Sequence, residues 1–259
     1  MKRPSVEIVI PVLNEEDVLE ESMKKLHSYL AKNCIIPWQI TIFSNGSTDR
    51  TAEIGNRLAK RFSRIKFKHI AERGKAKTYR LSWPCSKASI VGFMDADLST
   101  ELEAFPKCMD KIITDGADMA IGNRFGKGAV VRRSFSREIL SRGYNFLIKL
   151  FFPGNRIRDA HCGFKFLRKD VAELLLPHVR NEMWFFDTEF LMYAQQVGYK
   201  IEQVSVKWIE RKASKVKIAR VITEYLLNLI KLRCRLWKLS LSVSRFPLSA
   251  LLPSFLLQK

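Results

Sequence analysis

At 259 residues, 47% hydrophobic and 27% charged, the chain is long enough to bury a substantial core and too apolar to be disordered. Its formal net charge of +19 sits mainly in two stretches: residues 124–168 hold eleven Lys and Arg against Glu138 and Asp159, and residues 205–245 hold eleven against Glu210 and Glu224. Local basic surfaces call for a polyanionic partner such as phosphate groups or an anionic membrane, while five scattered cysteines without a Cys-x-x-Cys pair exclude a structural zinc site and fit a reduced, cytosolic compartment.

Met1-Lys2-Arg3-Pro4 passes directly into a strand, so no signal peptide is expected. Val6 to Pro11 reads as that strand, and Asn14-Glu15-Glu16 opens a helix with Leu19, Met23, Leu26 and Leu30 on one face. Gln39 to Phe43 is a second strand ending in Ser44-Asn45-Gly46-Ser47-Thr48-Asp49, where Ser47 or Thr48 is placed to cap a helix through Ile54 and Leu58. A third strand, Ile65 to Ile70, leads to Arg73-Gly74-Lys75 and another helix. Strands alternating with helices predict an α/β fold with a doubly wound, mostly parallel sheet. No Gly-x-Gly-x-x-Gly follows the first strand, so the dinucleotide fingerprint is missing.

The fourth strand, Ser89 to Met94, ends in Asp95-Ala96-Asp97, two carboxylates one residue apart. A strand delivers such a pair to the carboxyl edge of the sheet, where open α/β sheets bind ligands. Mg2+ or Mn2+ suits them, because these ions take one or two protein carboxylates and complete their shell with water and phosphate oxygens. The competing reading is an Asp-rich turn that caps the next helix. Four loops converge on this edge, presenting Pro11 with Glu15, Asn45, Arg73 with Lys75, and Asp95 with Asp97.

In this order these loops resemble the nucleotide-sugar half of the family 2 glycosyltransferases, whose fold is known as GT-A. Ile121-Gly122-Asn123-Arg124-Phe125 is similar to the Gly-Ser-Arg-Tyr segment of the polyprenyl-phosphate branch, and Arg137-Glu138-Ile139-Leu140-Ser141-Arg142 to its Arg-x-x-x-Ser-Arg helix. Asp159-Ala160-His161-Cys162-Gly163-Phe164-Lys165 and Trp184-Phe185-Phe186-Asp187-Thr188-Glu189 resemble segments of dolichyl-phosphate β-glucosyltransferases, and Trp208-Ile209-Glu210 with Ser214-Lys215-Val216 continues the pattern. The resemblance implies a nucleotide-sugar pocket at Pro11, Leu13, Glu15, Asn45 and Lys75, with metal and diphosphate at Asp95, Ala96 and Asp97, and with Arg211 and Lys215 closing over the diphosphate. It also implies acceptor-phosphate binding by Arg124, Arg137 and Ser141, and a catalytic contribution from Asp187. Asn45 departs from the family's usual Asp: its amide oxygen can accept one hydrogen bond from uracil but cannot match a carboxylate facing the two donors of guanine.

A lipid phosphate is already an anion, so it can attack an anomeric carbon without a protein base. The expected activity is therefore an inverting, metal-dependent transfer of glucose from UDP-glucose to a polyprenyl phosphate such as dolichyl phosphate. The alternatives are a GDP-mannose-dependent mannosyl counterpart and, from another class, a basic nucleic-acid-binding protein. The chain carries no recognised nucleic-acid motif, and its carboxylate cluster opposes a phosphate backbone. Residues 1–216 are expected to form the transferase domain and residues 217–259 a basic amphipathic segment. Its polar stripe runs Lys217, Arg220, Glu224, Asn228, Lys231, Arg235 and Lys238, as an interfacial anchor on the cytoplasmic face of a membrane requires. No apolar run reaches spanning length, since Phe246 to Leu257 is short and broken by Pro247 and Pro253.

Overall fold

The computed structural model of the chain describes residues 3–211 and 218–245. β1 (Val6–Val12), β2 (Trp38–Asn45) and β3 (Ile65–Ile70) alternate with α1 (Leu19–Asn33) and α2 (Thr51–Arg61). Next come α3 (Lys75–Ser82), β4 (Ile90–Met94), α4 (Ala104–Ile113), β5 (Met119–Asn123), β6 (Val130–Arg132) and α5 (Phe135–Phe151). β7 (Phe164–Arg168), α6 (Lys169–Leu175), α7 (Phe186–Val197), β8 (Ile201–Ser205), β9 (Lys207–Ile209) and α8 (Ile218–Arg245) complete the order. No helix among the described residues is long and apolar enough to cross a membrane.

Seven strands form one sheet in the order β3-β2-β1-β4-β7-β5-β8, and β6 and β9 pair separately in parallel. The sheet is parallel except for β7, which runs antiparallel to both β4 and β5. Strands buried on both faces read as continuous apolar runs, and β1, β4 and β5 are filled accordingly with Val, Ile, Phe, Met and Ala. On one face α1 buries Leu19, Met23, Leu26 and Leu30 at helical spacing, with Glu20 and Glu21 in its first turn and Lys32 in its last, the polarity that suits a helix dipole. Elsewhere α3 and α7 pack by aromatic stacking, with Tyr79 4.7 Å from both Trp83 and Phe93 and Phe186 5.4 Å from Phe190. α7 is buried continuously from Phe186 to Ala194 and ends at Gly198, whose φ of 93° is a left-handed cap.

Two helix starts differ from the sequence expectation. α1 begins at Leu19 rather than at Asn14-Glu15-Glu16, because the N–H groups of Asn14 and Glu16 go to Ser47 and Asp49 in the loop after β2 and that of Glu15 to Thr51 at the start of α2. α2 begins at Thr51, whose N–H is accepted by Asp49 at 2.9 Å; Ser47 and Thr48, expected as caps, bind Asn14 instead. The chain divides into two compact units, Met1–Asn145 with Arg156–Ser214 and Phe146–Asn155 with Lys215–Lys259. The second contains all of α8, where Leu229, Leu232 and Leu236 are buried while Leu227, Ile230 and Trp237 are exposed.

Candidate active site

The loops after β1 and β2 are stitched together. Asn14, at φ 55°, accepts the Thr48 N–H at 2.8 Å and donates its own to Ser47 Oγ at 3.2 Å. The Glu15 N–H reaches Thr51 Oγ1 at 2.9 Å. These bonds hold Pro11, the exposed Leu13 and the half-buried Glu15 beside Asn45. Asn45 is buried and donates Nδ2 to Thr78 Oγ1 at 3.2 Å, which gives its Oδ1 the acceptor role. Gly46, at φ 78°, lets the next loop press close: an added Cβ would lie 2.9 Å from Arg73 Cγ.

Asp95 follows β4 directly, and its N–H donates to the Gly163 carbonyl at 3.1 Å. That contact exists because β7 is antiparallel, so the residues preceding it lie at the edge where β4 ends. The Asp95 carboxylate packs against the bare backbone of Gly163, where a Cβ would stand 1.7 Å from Oδ2. Asp97 is oriented by Ser99, whose N–H and hydroxyl donate to its two oxygens at 2.9 and 2.6 Å. Ala96 between them is buried. Desolvation pushes the Asp95 carboxyl above its ordinary value, with Lys75 pulling it down and Asp97 pushing it up. A carboxylate pair whose mutual repulsion makes full ionisation costly, and whose Asp95 side chain is 45% exposed, fits a hard divalent cation. Among the described residues no group of three or more acidic, His or Cys side chains forms a cation cage. Asp95 and Asp97 would therefore share Mg2+ or Mn2+ with water and phosphate oxygens.

Lys75, the first residue of α3, lies 3.3 Å from Asp187 Oδ2 and 4.0 Å from Asp95 Oδ1, over the Phe93 ring at 4.4 Å. Asp187, in the first turn of α7, is buried and also faces Lys165 Nζ at 3.2 Å. Burial alone would raise its pKa, but Lys165 and then Lys75 hold the carboxyl below the ordinary range. Glu189 accepts the N–H groups of Arg180 and Asn181 at 3.0 and 2.8 Å, so it braces the loop before α7. His161 is stacked on Tyr144 at 4.3 Å, and burial lowers its pKa to about 4, so it is neutral at pH 7.

The basic candidates lie after β5 and on α5. Arg124, just after β5, donates Nε and Nη2 to the fully buried Asp159, both at 2.8 Å, with its backbone N–H on the same carboxylate at 2.9 Å. Asp159 first, and Asp95 after it, favour the charged form of Arg124. Arg137 contacts Glu210 at 2.6 Å, and Glu210 also accepts the Ser134 N–H at 2.9 Å, so the β6–β9 pair anchors the start of α5. Ser141 lies one turn after Arg137, partly buried, and Arg133 and Arg142 flank the Phe125 ring at 5.5 and 5.3 Å. The structure thus brings Lys75, Asp95, Asp97 and Asp187 together, with Arg124 close by. Arg211 is exposed, and Lys215 lies outside the described residues. Sequence reasoning assigned no role to Lys165, Gly163, Asp159 or Glu210. The available signal was Lys165 itself, a cation inside the apolar run Phe164 to Leu167, since buried lysines need a partner.

Residues 7–176 match the model of the family described as Glycosyl transferase family 2. The dolichyl-phosphate beta-glucosyltransferase of Drosophila melanogaster is 30% identical over 229 residues, covering 82% of this chain and 70% of that protein. The mouse protein of the same name is 30% identical over 223 residues, covering 81% and 68%. Glycosyltransferase AglD of Haloferax volcanii is 29% identical over 222 residues, and there the match covers 84% of this chain but only 35% of the relative. Glucosyl-3-phosphoglycerate synthase from Mycobacterium tuberculosis, solved with Mn2+, UDP-glucose and phosphoglyceric acid, superimposes with a TM-score of 0.66 at 16% identity, covering 90% of this chain and 80% of that one. That likeness establishes the same GT-A fold. With the matched span running from β1 through α6 and taking in Asp95, Asp97 and Arg124, the chain belongs to glycosyl transferase family 2.

Proposed function

We propose that the chain transfers glucose, with inversion, from UDP-glucose to a polyprenyl phosphate such as dolichyl phosphate, at a membrane surface. What supports this is a buried guanidinium, Arg124, held by Asp159 and within the electrostatic reach of Asp95, as two anionic substrates aligned with each other would need. The names of the glucosyltransferase relatives support the acceptor and the sugar, and the fold neighbours bound to UDP-glucose support the donor.

In this reading Asn45 Oδ1 accepts the uracil N3–H and Glu15 lies on the same wall. Lys75 faces the diphosphate. Asp95 and Asp97 would hold the divalent ion, which when bound takes up charge on the departing nucleoside diphosphate. Arg124, Arg137 and Ser141 hold the acceptor phosphate, with Arg137 exchanging Glu210 for a phosphate oxygen. A phosphate oxygen then attacks the anomeric carbon as the bond to UDP breaks and UDP leaves with the electron pair. No proton need be removed, which accords with Asp187 being held ionised between two lysines. Residues 217–259, with the exposed Leu227, Ile230 and Trp237 of α8, would rest on the cytoplasmic membrane face.

Purified protein should be given Mn2+, a short polyprenyl phosphate, and either UDP-glucose or GDP-mannose. UDP-glucose is expected to be used at least about tenfold better, a difference of about one hydrogen bond to the base, and Asp97→Ala should abolish metal-dependent transfer with an unchanged circular dichroism spectrum. Equal use of the two donors, or transfer from neither, would overturn the reading.

A further inference from the structure

Asp187 and Lys165 are buried, charged and in contact, yet neither faces open solvent or fits the roles of metal ligand or base. Each Asp187 oxygen has an ammonium against it, Lys165 on Oδ1 at 3.2 Å and Lys75 on Oδ2 at 3.3 Å. A carboxylate so enclosed cannot reach a cation shared by Asp95 and Asp97, because Lys75 stands between. It is equally unsuited to accept a proton, since both neighbours stabilise its ionised form.

The two lysines are held differently. Lys165 is 3% exposed, donates to the Cys162 carbonyl, and is fixed in β7, so it has little freedom to move. Lys75 begins a helix, is 14% exposed, and has Asp95 4.0 Å away, beyond direct hydrogen bonding. Phe93 lies under both ammonium groups, at 4.4 Å from Lys75 and 5.1 Å from Lys165. Asp187 is shared by two cations, so it neutralises Lys75 only in part, and the rest of the Lys75 charge faces Asp95 across a longer, looser contact.

We infer that Asp187 is a positioning residue that tethers Lys75 short of Asp95, and that Lys165 is its buried counter-ion, leaving the Lys75 charge available to the donor's diphosphate. Without the tether Lys75 closes on Asp95 and occupies a carboxylate needed for the donor complex. Without Lys165, Asp187 pairs fully with Lys75 and cancels that charge. This rests on the donor-site reading above and adds the two residues that make Lys75 usable.

The test is UDP affinity by isothermal titration calorimetry, with Mn2+ and again in EDTA, for wild type, Asp187→Asn, Lys75→Met and the Asp187→Asn/Lys75→Met double variant. Each single variant should bind UDP in Mn2+ about tenfold or more weakly, and the double variant should bind no more than about threefold worse than Lys75→Met alone, because Asp187 acts through Lys75. Asp187→Asn that binds UDP normally but loses turnover would make Asp187 a reacting group and overturn the inference. Additive losses in the double variant would overturn it too, and wild type that binds no UDP would overturn the donor-site reading along with it. If Asp187→Asn does not fold, Lys165→Met carries the same cycle against Lys75→Met, with the same non-additivity expected.

Discussion

Asp159 has no exposed surface and gives both oxygens to Arg124. Burial raises its pKa and Arg124 more than reverses that, so the carboxyl sits below the ordinary value. Removing one partner of a buried pair leaves an uncompensated charge, so Asp159→Ala should cost about 3–5 kcal/mol of stability, read as a shift in the urea midpoint. The end of β4 at Asp95 was legible in the sequence because a strand-length apolar run stops there, but by itself the Asp-x-Asp read equally as a helix-capping turn, and only the surrounding loops favoured an edge site. Arg124 was legible only through the likeness of its segment to a known one. Lys165 was not, since nothing in an apolar strand says that a distant helix will bring Asp187 to meet it.

At the scale of elements, the register and direction of β7 were hidden, because Phe164 to Arg168 reads as the same apolar run whether parallel or antiparallel to its neighbours. The start of α1 was hidden for a different reason: Asn14, Glu15 and Glu16 have the composition of a helix N-terminus, but their N–H groups were claimed by the loop after β2 and the start of α2. β3 was read to its ends, Ile65 to Ile70, since alternation and flanking breakers agree there. α8 presents Leu227, Ile230 and Trp237 to the surface on one stripe, alongside exposed Lys231 and Lys238. Leu227→Ser with Trp237→Ser should reduce sedimentation with anionic vesicles by about tenfold or more, since each apolar side chain buried in the acyl boundary contributes about 1.5–3 kcal/mol. The melting temperature of Leu227→Ser should not fall, because that side chain is exposed; vesicle binding that survives both changes would argue against this face as a membrane-binding surface.

For the molecule as a whole, Asp159, Asp170 and Asp187 all have folded pKa values below their ordinary ones. A depressed carboxylate contributes stability that is complete above its unfolded value of about 3.9 and is lost as pH falls through its lower folded value. Protonation there also enlarges a net charge already at +19. The urea midpoint should therefore be level near pH 6–7 and fall steeply below about pH 4, with added salt recovering part of the loss by screening; a flat profile down to pH 3 would contradict this assignment of charges.

Gly163 seats the Asp95 carboxylate, and Asp159, a few residues upstream, grips Arg124. The spacer Ala160–Cys162 between them therefore acts as a ruler, and its length fixes the separation between the Asp95 carboxylate and the Arg124 guanidinium. A single inserted residue there should leave every side chain chemically intact while throwing those two charged groups out of line. Held at both ends, this loop is kept to its span.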